Sequence, residues 1–447
     1  MTQDSSETLA QADQPLEKKL LGILEHDQRL KLHNELHVGT RETLAAPTQL
    51  SHLVLICNSN LADEERRLLA QLCQRYDVTP PSMQSTHFSA DMGSFRFKWE
   101  RHTEYSTYTV YQNTPFDAPF AEAAVNHLPK EWLESLPGKL MVAVNVAIEP
   151  KDRRRRDLAE LSQLFASNTV IGSEVAAGRA VVWTDNQIHT DGFGRILIHD
   201  VNLRSRQAGR LVQRLLEIET YRMLAMLPVP LTRKFIPQLA GFDRRLAELT
   251  ATNNKLDGVA DEQQLLEELS QLASEIEAIS AQTSHRFNAS KAYFNIVTGR
   301  VRELRERRIE GLQMFHEFMD QRLTSAMGTC NLVHDKLETL STRVERASAL
   351  LRTRVDITME EQSRDLLKSM DRRADLQLRL QKTVEGLSVV VLSYYLLGLV
   401  AYGLKGLKAS GVELDTEFAT GLAIPIVLGI VFIVVRRIHH SVDKEDH

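Results

Sequence analysis

Two runs near the end of the chain carry no charged residue: 386–404 (GLSVVVLSYYLLGLVAYGL), about 19 positions, and 418–435 (FATGLAIPIVLGIVFIVV), about 18. At a 1.5 Å rise per residue the first covers roughly 28 Å, close to the hydrocarbon thickness of a bilayer. Together they predict a transmembrane hairpin. Far upstream the pattern differs. Residues 16–37 predict one or two amphipathic helices, 52–57 (HLVLIC) a buried strand, and 61–75 a helix with acidic residues in its first turn. Residues 95–101 (FRFKWER) alternate apolar and charged, which predicts a half-exposed strand, and 103–111 continue the β-rich composition. Further strands are predicted at 141–148, 179–183, 187–189 and 195–199, the last two around an Asp191-Gly192-Phe193-Gly194 turn. After about residue 202 the period becomes helical. Residues 205–227 form one helix ended by Pro228 and Pro230, and 242–382 is nearly all helix-forming, with weak breaks near 253–257 and Gly328. Leu337, Leu340, Val344, Ala347 and Leu351 step by three and four, a coiled-coil-like seam that loosens near Asp356 and resumes through Leu366, Met370 and Ala374.

These patterns predict an α+β (or α/β) N-terminal cytoplasmic domain, then a long helical, coiled-coil-like region ending in a two-helix transmembrane hairpin. The expected divisions are a polar segment 1–31, the α/β domain 32–204, the long-helix region 205–385, the hairpin 386–435 and a basic tail 436–447. Lys368, Arg372, Arg373, Arg379 and Lys382 precede the first span, and Arg436, Arg437 and Lys444 follow the second. The loop 405–417 carries only Lys405 and Lys408 as basic residues, so the positive-inside bias puts both termini in the cytoplasm. Residues 1–14 are polar and acidic and lack the pattern of a cleaved signal peptide, which keeps the expected bulk of the chain in the cytoplasm. A helix this long and charged needs partners, and another copy of the chain is the simplest one, through the long helices and the first span.

Composition narrows the chemistry. Fifty-four basic against 59 acidic residues give a net charge of -5, with no basic field to suggest a nucleic-acid partner. Three cysteines without metal or CxxC spacing argue against a disulfide framework and fit a reducing compartment. His33 and His37 share a helical face with Glu35 between them, but Asn34 stands where a helical zinc-protease motif needs its Glu, so a polar helix end is the better reading. Trp99, Arg101, His102 and Glu104, with Tyr105, Tyr108 and Tyr111 nearby, form a polar cluster in the sequence; the readings are a solvated strand face or a pocket for a small anion or a partner. Residues 151–156 (KDRRRR) read as a solvated loop, with anionic headgroups the alternative, and the arginines of 302–308 read as helix-face ion pairs with interleaved glutamates. In the first span Ser388, Ser393, Tyr394, Gly398, Tyr402 and Gly403, with Lys405 at its end, are the candidate packing or pore-lining positions. No catalytic set, no cofactor fingerprint and no metal site is expected.

The strings FRFKWERHTEYSTYTVYQ (95–112), DGFGRILIHD, RQAGRLVQRLLEIETYRM, RELRERRIEGLQ (302–313), LLRTRVDI (350–357) and LQKTVEGLSVVVLSYY (380–395) resemble one uncharacterised bacterial family of predicted membrane-anchored proteins, a domain of unknown function. The resemblance runs from about Leu32 to Arg437, and departs where Glu35-Leu36-His37 is followed by Val38-Gly39-Thr40 instead of an ELHARP-like string. It implies anchorage, with membrane lipid as a partner, and no activity. The architecture also resembles the CorA-type divalent-cation channels, which implies a homo-oligomer of the inner membrane connected with ion transport or its regulation. Lys405 departs from that pattern, since a ring of positive charge at the outer mouth repels a dication. A non-conducting scaffold is the alternative expectation, and a membrane-tethered enzyme a more remote one.

Overall fold

The computed structural model describes residues 42–57, 59–252, 259–409 and 415–442, with a few positions between 19 and 29. Of the stretch expected as helix at 16–37, Lys19–Leu20 and Ile23–Leu24 pair as a short antiparallel ladder. The rest of it, His33 and His37 included, lies outside the described residues.

The chain divides into two compact units, the first Met1–Ala247 with Gln271–Val344 and the second Glu248–Ser270 with Glu345–His447. The first is built on β1 (Thr48–Ile56), α1 (Ala62–Arg75), β2 (His87–Asp91), β3 (Arg96–Arg101), β4 (Tyr105–Gln112), α2 (Lys130–Glu134), β5 (Lys139–Glu149), α3 (Leu158–Leu164), β6 (Ile171–Val175), β7 (Ala180–Thr184), β8 (Gly194–Asp200) and α4 (Ser205–Met226). A two-residue strand, β9 (Arg307–Arg308), completes one sheet in the order β9-β6-β7-β8-β5-β1-β4-β3-β2. Only β8 and β5 run parallel; every other pair is antiparallel, which makes the unit α+β. On one face of its β1–β4 half, Leu53, Leu55, Phe97, Trp99, Tyr108 and Val110 form a core with Leu69 and Leu72 of α1 and with Trp132. A smaller core joins Leu161 and Phe165 to Trp183 and Leu197.

Helices follow: α5 (Val229–Thr252), α6 (Val259–Glu303), α7 (Phe315–Met319), α8 (Ser325–Ala409) and α9 (Thr416–Val442). Pro230 sits in the first turn of α5, where its missing N–H costs nothing. The seam expected on α8 is buried at Leu337, Leu340, Val344 and Leu351. In the first unit α5 and α8 are held by Asp243 to Lys336 and Arg343, and α5 and α6 by Arg245–Glu275. In the second, Glu262 of α6 pairs with Arg354 of α8 at 2.7 Å. Up to there the chain supplies its own helical partners.

Three expectations change. Residues 187–189 are irregular and not a strand, because Asn186 adopts a left-handed φ of 52° and Asp185 turns the chain by accepting from the Gln187 amide. The helical region breaks at 304–314 and not at Gly328, which lies inside α8. There Arg305 has a φ of 52°, and Glu306 accepts from Ser173 Oγ and from the Phe315 and His316 amides, so it caps α7 and cannot form a helix-face pair. The half-exposed strand at 95–101 is instead covered on both faces. Of the two apolar runs, one helix among the described residues, 315–406, is long and apolar enough to cross a membrane by length and composition. The apolar stretch Thr420–Val435 within α9 is shorter.

Candidate functional site

Alternation along the strands decides what faces α4. In β3, Phe97, Trp99 and Arg101 point toward α1, and Arg96, Lys98 and Glu100 point the other way. In β4, Tyr105, Thr107, Thr109 and Tyr111 share that second face. Opposite them α4 sets Gln213, Glu217, Thr220 and Tyr221 on one side of its cylinder. A cavity of about 220 Å³ remains between. Its wall at the start of α4 is closed tightly: a Cβ on Gly209 would overlap the Glu42 carbonyl oxygen, so only glycine lets the two backbones meet.

His52 of β1 lies at the floor, its Nδ1 2.8 Å from Thr109 Oγ1 and its Nε2 3.4 Å from Thr220 Oγ1. Complete burial, with Lys98 and His102 adding repulsion, pulls its pKa down to about 3, so the ring is neutral. Lys98 Nζ is 2.9 Å from Glu100 Oε1, and Arg96 Nη2 is 2.9 Å from Glu42 Oε2, its guanidinium 4.9 Å above the Tyr111 ring. Glu217 pairs with Arg300 and accepts from Gln213 Nε2. Tyr105 Oη donates to Tyr221 Oη at 3.0 Å, and burial pushes both phenols upward, so both stay protonated. At the rim His102 stacks on Tyr105 with centroids 4.3 Å apart, and desolvation lowers its pKa. The site therefore combines hydroxyl donors, a lysine ammonium, carboxylates and neutral imidazoles.

The cluster expected at Trp99, Arg101, His102 and Glu104 does not converge. Trp99 is fully buried toward α1. Arg101 Nη1 lies 2.5 Å from Glu65 Oε2, and the same buried carboxylate accepts from Ser106 Oγ. Glu104 accepts from Tyr293 Oη and Arg286 Nη1, each at 3.0 Å. Only His102 reaches the cavity, and Tyr108 faces Trp132 on the far side. Of the residues that do line it, Lys98 and Glu100 follow from the period of two in β3 once both faces of the sheet are covered, whereas His52 of β1 and Glu217 and Tyr221 of α4 join them only through the fold.

Elsewhere the basic run 151–156 is a loop exposed at Lys151, Asp152, Arg154 and Arg155, and several of its arginines have partners within the fold. Glu149, with no exposed side-chain surface, holds Arg156 at 2.8 Å and Arg153 at 3.6 Å, Arg154 pairs with Glu160, and Arg155 lies over Trp183. The Asp191–Gly194 segment is a turn, with Gly192 at a φ of 84° and Asp191 Oδ1 accepting from the Phe193 amide. A second buried polar pair not read from the sequence is His189 with Asp185, 2.9 Å apart. On α8, Ser388 Oγ donates to its own helix at the Val384 carbonyl, Ser393 is buried, and Tyr394 and Tyr402 are about three-quarters exposed. At Gly398 and Gly403 an added Cβ would meet nothing within 4 Å, and Lys405 Nζ stands 5.9 Å from the Tyr402 ring. Among the described residues no group of three His, Cys, Asp or Glu side chains is placed to hold a metal. The three cysteines are buried thiols, pushed up by desolvation.

No curated protein matches the chain. The family model described as "Protein of unknown function (DUF3422)" matches residues 24–442, and the chain belongs to that family.

Proposed function

We propose that the chain is a homo-oligomeric protein of the bacterial inner membrane, anchored by a two-span hairpin with both termini in the cytoplasm, where its α+β unit organises a ligand or partner at the membrane surface. The observation that carries this reading is the change along α8. One face of the helix buries Leu351 and Val355 against its own chain. The same face continues as Met359, Leu366, Met370, Leu380 and Val384, each more than half exposed, straight into the apolar stretch from 386. Exposing such a stripe to water is unfavourable by roughly 1.5–3 kcal/mol per large side chain relative to burial. A second copy fits it best: the stripe is continuous with the span, and Arg, Lys, Asp and Glu interleave on its flanks, so like helices can pair without repulsion. The hairpin reading draws on the apolar part of α9 and on the basic residues outside the two runs.

The chain should sediment with membranes and need detergent for release. Light scattering of the full chain in detergent should give a multiple of 50.7 kDa. Leu366→Glu combined with Met370→Glu should bring the mass down toward a single chain. A wild-type monomer at micromolar concentration would remove the oligomer reading. Ion conduction is the second reading, favoured by the continuity of α8 from the helical bundle into the span and opposed by Lys405.

A further inference from the structure

The cavity beneath α4 offers both signs of charge within a small volume, and the protein's own contacts leave part of that capacity unused. Lys98 is nine-tenths buried, its ammonium has three N–H donors, and Glu100 is the one ion-pair partner recorded for it among the described residues. A buried ammonium with donors unfilled is costly, and an acceptor entering the cavity would relieve that cost. Tyr221 Oη accepts from Tyr105 and keeps its own proton to donate. Acceptors stand on both walls, Glu100 on the strand beside Lys98 and Glu217 on α4, which keeps lone pairs beyond its contacts with Arg300 and Gln213, while His52 adds no charge and burial lowers the pKa of His102. An anion alone would meet these carboxylates, and Glu42 as well; a cation alone would meet Lys98. A molecule with a carboxylate and an ammonium a few bonds apart satisfies both walls and brings no net charge into a partly desolvated site.

We infer that this cavity binds a small zwitterion of the free α-amino-acid class, its carboxylate against Lys98 and the Tyr221 hydroxyl and its ammonium against Glu100 and Glu217. The volume, about 220 Å³, suits a ligand smaller than a nucleotide or a drug-sized molecule. His102 and Gln213 are exposed at its rim, and Thr109, His52 and Thr220 are buried at its floor.

The experiment is calorimetric titration and thermal melting of the full chain in detergent with each of the common L-amino acids, and with acetate and methylamine separately. At least one amino acid should bind saturably and raise the melting temperature, with acetate and methylamine each weaker by about tenfold or more. Lys98→Met should lower the affinity at least about tenfold, and Tyr221→Phe by less, with a lower unliganded melting temperature because the buried Tyr105 hydroxyl loses its acceptor. If Lys98→Met does not fold, Glu217→Gln takes its place, with the same loss expected. The proposal fails if no amino acid binds, if acetate or methylamine alone binds as tightly as the best amino acid, or if the folded variant keeps wild-type affinity.

Discussion

At the floor of the cavity His52 is held neutral between two threonine hydroxyls, with Lys98 and His102 the charged and titratable groups that bear on it. Its folded pKa of about 3 lies below the unfolded value of 6.5. Above pH 6.5 both states carry the neutral ring and the contribution to stability is complete. As the pH falls from 6.5 toward 3, the unfolded chain takes up a proton that the folded chain refuses, so stability falls. The loss is roughly 2 kcal/mol by pH 5. Melting of the full chain at pH 7.5 and 5.0 should therefore show a smaller acid-induced drop in His52→Gln than in wild type; equal drops would mean the ring is not held neutral. In the sequence His52 is one polar letter in a strand-like run, and nothing local reveals that Thr220, far along the chain, covers it. The Trp99–Glu104 segment misleads in the opposite sense: four functional-looking residues in close sequence succession separate because a strand and a tight turn send neighbours to different sides.

The elements were largely legible where one period dominates. Strand β1, helices α1 and α4 and the α8 seam follow from apolar spacing alone. The charged residues of β3 suggest a wet face, yet Arg96, Lys98 and Arg101 each meet a carboxylate in the folded chain. Burial with a partner and exposure to water leave the same letters in a sequence. The Arg101–Glu65 pair tests this at the level of packing between β3 and α1. Arg101→Met strands a buried carboxylate and should cost about 3–5 kcal/mol, seen as a lowered denaturation midpoint, and adding Glu65→Gln should restore part of it. If Arg101→Met is neutral, the pair does not tie the helix to the sheet. β6, β2 and the break at 304–314 were not read from the sequence, since short strands with few apolar residues carry little signal and a two-residue strand carries none.

For the whole molecule, the long apolar stretch of α8 raises the question of passage. With Tyr394, Tyr402 and Lys405 directed outward from a single copy, an assembly could place them toward an axis or toward lipid. Purified full chain in liposomes should pass no divalent cations above the rate of empty liposomes, and Lys405→Ala should leave that unchanged. Flux that rises in Lys405→Ala would favour the conduction reading and identify the lysine ring as its barrier. A different consequence follows from β9. The sheet's last strand is made only after α6, and Gln313 and Leu304 add backbone bonds to the same edge, so β6 stays open until residue 313 has been synthesised. The apolar stretch from 386 follows later still. On the ribosome the α+β unit can thus close its β6 edge before that stretch emerges, so the long apolar segment appears only after that edge has been sealed.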